Sequence, residues 1–435
     1  MDKKPLHEAL NEYLSTNALP MHMPGGKRRI GFLAANDITE IAGFDNLHNP
    51  SGIIMELESD LASLWNAGEA FLSVNGATAM IGSAICAAMR YFPEGRILAA
   101  SNCHLSVWHG IEMSGCMHRI IDPSIGEYPF AMDVSPEAVE KALREDPGIR
   151  AVVITSPTYE GVISDTASIY NITRKYDCTL IVDEAHGAHL GLDDYWGNDA
   201  TGDLVIKSTH KTLSSPTQTA VMLNYSDRVS GEDIRHYIDI FESTSPSYLL
   251  MSGMSEMCSF LSQKDCMRPW IDGVREARDR LSQLKNIKLF SADNADPSKF
   301  VLLCQGTEVA EILRDQYNIE VEAAFTSHLI AMSGIGDNTD TLMRFVQAIE
   351  EIDGSYENFG IQEFQSCCPV KHITAMSLSQ VARCPSEKIS ISSSKGRISA
   401  EFVYNYPPGI PLILPGDEIT EDQVRFSPIH DIRAI

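Results

Sequence analysis

Short apolar runs recur along the chain up to about residue 224, and each stops at a cluster of small or polar residues. Ala70-Phe71-Leu72-Ser73-Val74 runs into Asn75-Gly76-Ala77-Thr78, residues 96–100 into Ser101-Asn102-Cys103-His104, and residues 151–155 into Ser156-Pro157-Thr158-Tyr159-Glu160-Gly161. Thr179-Leu180-Ile181-Val182 ends in Asp183-Glu184-Ala185-His186-Gly187, residues 204–208 lead into Thr209-His210-Lys211-Thr212, and residues 219–224 close the series. Apolar runs of this length between turn formers predict buried strands, and the helical periodicity of residues 53–65, 79–91, 135–145 and 165–176 predicts helices between them. Strands alternating with helices imply an α/β fold with a mostly parallel sheet covered on both faces. Ligand groups then gather at the strands' carboxyl ends.

Outside this region the pattern changes. Residues 5–15 carry Leu6, Ala9, Leu10, Tyr13 and Leu14 on one face of a short amphipathic helix, and His22-Met23-Pro24-Gly25-Gly26-Lys27-Arg28 is a loop. After Ser243-Thr244-Ser245-Pro246-Ser247-Tyr248 a long helical region extends to about residue 286, with a break expected near Pro269. Strands at 287–290 and 300–304 and helices at 307–317 and 339–352 suggest a smaller α/β domain, and 354–363 is polar and irregular. A helix at 372–382 and short strands at 389–391 and 402–404 follow. The expected division is an N-terminal helix and arm over 1–45, a large domain over 46–285, a small domain over 286–355 and a C-terminal domain over 356–435.

Composition narrows the function classes. A net charge of -25, from 34 basic against 59 acidic residues, argues against nucleic acid or an anionic membrane as a partner. The ten cysteines are scattered, with Cys367-Cys368 the only close pair, so neither zinc spacing nor a disulfide framework is visible. The N-terminus, Met1-Asp2-Lys3-Lys4-Pro5, lacks an apolar signal core, and no apolar run has membrane-spanning length. The expectation is a reduced, cytoplasmic enzyme.

Two strand ends carry the chemistry. Lys211 follows an apolar strand, where partial burial lowers an amine's pKa and makes it a nucleophile. Asp183 ends the preceding strand. An acid and an amine so placed suit pyridoxal phosphate (PLP), which needs a carboxylate to keep its ring nitrogen protonated and a lysine to hold its aldehyde. Gly76, Ala77 and Thr78, a glycine turn opening a helix, offer backbone N–H groups to a phosphate.

Together these motifs, with Thr155-Ser156-Pro157-Thr158-Tyr159, Asn102-Cys103-His104, Thr244-Ser245-Pro246-Ser247-Tyr248 and Tyr406-Pro407-Pro408-Gly409-Ile410-Pro411, resemble the bacterial ornithine/lysine/arginine decarboxylases, in the short form without the extra N-terminal domain. The resemblance implies a fold type I, aspartate aminotransferase-like large domain with a smaller C-terminal α/β region, and PLP as a Schiff base on Lys211. It implies that Asp183 bridges to the ring nitrogen, His104 stacks on one ring face and Ala185 packs on the other. Ala77, Thr78, Ser208 and His210 would hold the phosphate, His186 would lie near the lysine linkage, and Lys211 or His210 would return a proton to the substrate's α-carbon. Ser243 or Thr244 would reach the phosphate of a neighbouring subunit, which implies a homodimer or a higher homo-oligomer with shared active sites.

Two positions depart from the family: Gly26 stands where it usually has histidine, and Ala77 where it usually has serine. The substrate expected is a basic amino acid, lysine, arginine or ornithine, whose distal cation needs a carboxylate. Glu160, Glu322 and Asp417 are the candidates considered. The alternatives are another PLP reaction (aminotransferase or lyase), a non-catalytic PLP-binding homologue, or a metal hydrolase using Asp183, His186 and His189. The reading adopted includes no metal.

Overall fold

The computed structural model describes residues 19–21, 45–355, 370–405 and 409–435. The helix expected at 5–15, the loop at 22–28 with Gly26, most of the polar stretch 354–363 and residues 406–408 lie outside the described residues.

The strands are Leu19–Met21 (β1), Glu69–Ser73 (β2), Arg96–Ala100 (β3), Met117–Ile121 (β4), Ile149–Thr155 (β5), Thr179–Asp183 (β6), Leu204–Lys207 (β7) and Ala220–Asn224 (β8), followed by Lys288–Leu289 (β9), Lys299–Leu303 (β10), Ile319–Val321 (β11), Ala323–Ala324 (β12) and His328–Met332 (β13). Helices Ile53–Leu64 (α1), Gly76–Met89 (α2), Leu105–Ser114 (α3), Pro136–Glu145 (α4), Thr166–Lys175 (α5), the single turn Thr209–Thr212 (α6), Gly231–Phe241 (α7), Tyr248–Leu261 (α8) and Arg268–Leu281 (α9) intervene.

Seven strands form one sheet in the order β2-β8-β7-β6-β5-β3-β4, parallel throughout except for β8, which is antiparallel to both neighbours. Every residue of β6, β7 and β8 is buried. Layers on both faces account for that, and explain why these strands read as continuous apolar runs rather than alternating ones. The carboxyl ends of β2, β3, β5, β6 and β7 meet the amino end of β8 along one edge, where Ser73 pairs with Ala220 and Thr155 with Asp183.

A second, four-stranded sheet, β12-β13-β10-β9, packs over that edge. Its Val301, Ile330 and Met332 share an apolar cluster with Tyr159 and Val162 from the loop after β5. The far C-terminal segment has its own small core of Val403, Ile413, Ile419 and Ile432.

Several expectations need correction. The chain after β3 contains helix α3 and edge strand β4, which the apolar pattern did not reveal. Buried Ser106 and Gly110 beside Val107, Trp108 and Ile111 blur the helical stripe of α3, and charged or polar His118 and Arg119 interrupt β4. Helix α7 was likewise missed. The helical region breaks between α8 and α9, before Pro269, which sits in the first turn of α9 where its missing N–H costs no hydrogen bond. The helix expected at 372–382 shrinks to Leu378–Val381, because Ser377 and Gln380 form a capping box and Ile373 to Met376 bond to residues 416–418 instead. No helix among the described residues is long and apolar enough to cross a membrane.

Candidate active site

Asp183 closes β6 opposite Ile206 of β7, and the chain turns at Ser208 into α6, which carries Lys211. Strand alternation sends the side chain of Lys207 into the core instead, where it pairs with Glu184 and Asp199. The two lysines therefore face different surroundings, although only one turn separates them.

Lys211 Nζ lies 2.8 Å from His186 Nε2. Burial pushes the Lys211 amine below its ordinary range, and the negative fields of Asp183 and Glu322 offset part of that fall. Burial, reinforced by Lys211 and Lys299, holds His186 well below its usual pKa, so the ring is neutral and Nε2 accepts from the lysine. The pair is a place to keep one proton, shared between an amine and an imidazole.

Asp183 is buried and receives the Ala185 N–H at 3.1 Å. Burial raises its pKa, opposed chiefly by the positive field of Lys211. At the neighbouring strand ends, Asn102 Oδ1 and His186 Nδ1 are buried without a hydrogen-bond partner among the described residues. Orphaned polar atoms around an under-compensated carboxylate fit a polar heterocycle with a cationic nitrogen.

His104 caps α3: its Nδ1 accepts the Ser106 N–H at 3.2 Å and lies 2.8 Å from Ser106 Oγ. An Nδ1 that accepts carries no proton, and burial lowers the ring's pKa, so His104 offers a flat neutral ring. That suits stacking rather than acid catalysis.

The residues expected at the phosphate lie in α2 and at the start of α6. Asn75, at the N-cap of α2, makes no side-chain cap and instead donates to Phe241 O at 3.0 Å, which leaves the N–H groups at Gly76, Ala77 and Thr78 available to an anion. Gly76 has φ 77°, a conformation costly for any residue with a Cβ. The Ser73–Ala220 pairing sets Thr219 beside this turn, and His210 Nδ1 donates to Thr219 O at 2.8 Å. That bond fixes the tautomer, and burial pushes the ring to a pKa of about 4. His210 is therefore neutral near pH 7, with its Nδ1 proton engaged by the Thr219 carbonyl. Ser208 is buried at the N-cap of α6 with no side-chain cap bond.

Ser243 and Thr244 are exposed on the described chain, and His48 Nε2 donates to Ser243 O at 2.8 Å while its Nδ1 donates to Asp239 at 2.8 Å.

Of the three carboxylates considered for a substrate cation, only Glu322 acts on Lys211. It accepts from Tyr159 Oη at 3.0 Å. Glu160 is buried against Thr158 and Lys299, and Asp417 is buried against His372 in the C-terminal segment. The metal trio is not assembled either, since His189 pairs with Asp296 at 3.0 Å and His186 with Lys211. Among the described residues no group of three or more histidine, cysteine and acidic side chains could hold a metal ion.

Sequence reasoning missed Lys299, whose Nζ donates to Thr158 O at 3.0 Å and Tyr159 O at 2.7 Å. The one signal was a lysine opening an apolar strand, Lys299-Phe300-Val301-Leu302-Leu303, which solvated lysines also do.

Residues 4–302 match the family described as Orn/Lys/Arg decarboxylase, major domain, and residues 361–428 match its C-terminal domain. The chain is 28% identical over 454 residues to an arginine decarboxylase of Bacillus subtilis, covering 97% of this chain and 92% of that one. It is 22% identical over 550 residues to the inducible lysine decarboxylase of Escherichia coli K12, covering 96% of this chain and 75% of that one. The fold superposes on the crystal structure of the Francisella novicida lysine decarboxylase with a TM-score of 0.75 at 16% identity, over 90% of this chain and 73% of that one.

Proposed function

The chain belongs to the Orn/Lys/Arg decarboxylase family, PLP-dependent enzymes of fold type I that decarboxylate basic amino acids, and from that premise we propose that it decarboxylates arginine to the corresponding amine and carbon dioxide with the cofactor held on Lys211. The observation that carries the site assignment is the convergence of Asp183, His186 and Lys211 on one sheet edge, with the Lys211 amine against His186. Arginine is favoured over lysine because the arginine decarboxylase of Bacillus subtilis is similar over nearly its whole length, whereas the lysine enzyme of Escherichia coli is less identical and longer.

PLP, when bound, supplies an electron sink for the bond broken at the substrate's α-carbon. Asp183 would hold the ring nitrogen's proton, and His104 and Ala185 would enclose the ring. The turn at Gly76, Ala77 and Thr78, with Ser208, would take the phosphate; one hydroxyl fewer at Ala77 costs about 1 kcal/mol of binding. Once released, the Lys211 amine, sharing its proton with His186 Nε2, is placed to deliver that proton to the α-carbon. Glu322, steadied by Tyr159, would meet the guanidinium. We also propose a homodimer in which Ser243 or Thr244 reaches the phosphate of the neighbouring subunit.

The test is to supply arginine, lysine and ornithine in turn while measuring carbon dioxide, amine and keto acid. Arginine should give carbon dioxide and amine in equal amounts and turn over fastest. Keto acid without carbon dioxide would overturn the reaction type, and faster turnover of lysine would overturn the substrate. Sedimentation with and without cofactor tests the dimer.

A further inference from the structure

Lys299 opens β10, in the sheet that packs over the active edge, and only 2% of it is exposed. Its ammonium bonds two consecutive carbonyls of the loop after β5, those of Thr158 and Tyr159. The loop is shaped around it: at Gly161, with φ 91°, an added Cβ would stand 3.0 Å from Lys299 Cδ. The same loop presents Tyr159, whose ring meets the His186 ring edge-on at 5.2 Å and whose hydroxyl donates to Glu322. His186 in turn holds the amine of Lys211. A continuous set of contacts thus runs from Lys299 to the reacting lysine.

We propose that Lys299 is a positioning residue of the decarboxylation: it clamps the Thr158–Tyr159 carbonyls, seats Tyr159 against His186, and places a buried ammonium whose field acts on the Lys211 amine.

A neutral donor could satisfy two carbonyls, and burying an ammonium is costly. Its charge is what a neutral donor lacks. Burial pushes Lys299 down to about 8, Lys211 pushes the same way, and Asp296, Glu160 and Glu322 oppose. The charged and titratable groups facing it are therefore Asp296 beside it, Glu160 on the clamped loop, Glu322 on the chain between β11 and β12, and Lys211 with His186 across the edge. Near neutral pH it is a cation, and two neighbouring ammoniums each make the other easier to deprotonate.

The inference rests on Lys211 being the reacting amine, so its test includes a measurement independent of turnover. In full-length apoprotein, trinitrobenzenesulfonate labelling mapped to the Lys211 peptide gives the pH at which that amine becomes reactive. K299Q keeps a donor for the carbonyls and loses the charge. We expect its Lys211 profile to move up by about one pH unit, and kcat in the holoenzyme to fall about tenfold with KM changed less than about twofold. K299R should restore the profile. An unchanged Lys211 profile in K299Q, with melting and kcat as in the wild type, would overturn the proposal and make Lys299 a packing residue. K211A that still turns over would instead defeat the assignment of Lys211, and the two failures are read separately.

Discussion

Asp183→Asn is the sharpest single perturbation of this site, because it should move three quantities in directions no packing defect would. The carboxylate is buried at the end of β6, its charged form disfavoured by burial and supported chiefly by the field of Lys211. A group whose folded pKa is raised contributes stability below its unfolded pKa and forfeits it as pH rises through the folded one. At neutral pH the ionised Asp183 is thus a cost to the apoprotein, and an isosteric amide removes it, so D183N should melt higher. The carboxylate also raises the pKa of Lys211. Without it the amine should lose its proton more readily, and apoprotein labelling at Lys211 should begin at lower pH. Turnover should go the other way. A preorganised, charge-assisted bond at a reacting centre is worth about 3 to 4 kcal/mol, so D183N should lose about 10² to 10³ in kcat/KM. Calorimetry of the apoprotein, the labelling profile and steady-state kinetics measure the three. Turnover within about threefold of wild type, or an apoprotein that melts lower with a less reactive Lys211, would refute the reasoning.

E322Q should raise KM for arginine about tenfold, the value of one charge-assisted hydrogen bond, while kcat changes little; unchanged preference among arginine, lysine and ornithine would remove Glu322 from the substrate site. G76A forces a Cβ into φ 77° and should cost about 1 kcal/mol, seen as a lower urea midpoint and weaker PLP binding, and an unaltered midpoint would contradict the strained turn. Burial lowers the pKa of His48, but the Ser243 carbonyl and Asp239 outweigh it and raise the net value. Its hold on Ser243 is therefore present at acid pH and lost as pH rises through the raised pKa. Hydrogen exchange near Ser243, corrected for intrinsic rate, should be slower at about pH 6 than at about pH 8 in the wild type and pH-independent in H48Q, with less than about 1 kcal/mol at stake because Asp239 is exposed.

What could be read along the chain was whatever a few neighbouring residues decide. An apolar run that ends in Asp183, another that ends before Lys211, and a glycine turn at Gly76 each record local rules of burial and backbone conformation, and they named the family and most of the candidate site. Even so, the missed helix α3 shows where periodicity stops helping, because a helix buried on several sides has no stripe. The tertiary structure alone decided which charges meet. Glu160, Glu322 and Asp417 are indistinguishable as sequence, and only chain closure sets Glu322 near Lys211 while burying Glu160 against Lys299 and Asp417 against His372. Lys299 is one lysine among many until the second sheet folds over the first and desolvates it between two carbonyls. Whether a side chain is a solvated charge or part of a site depends on its distance to other charges and its loss of water, and both are set by segments far away in the chain.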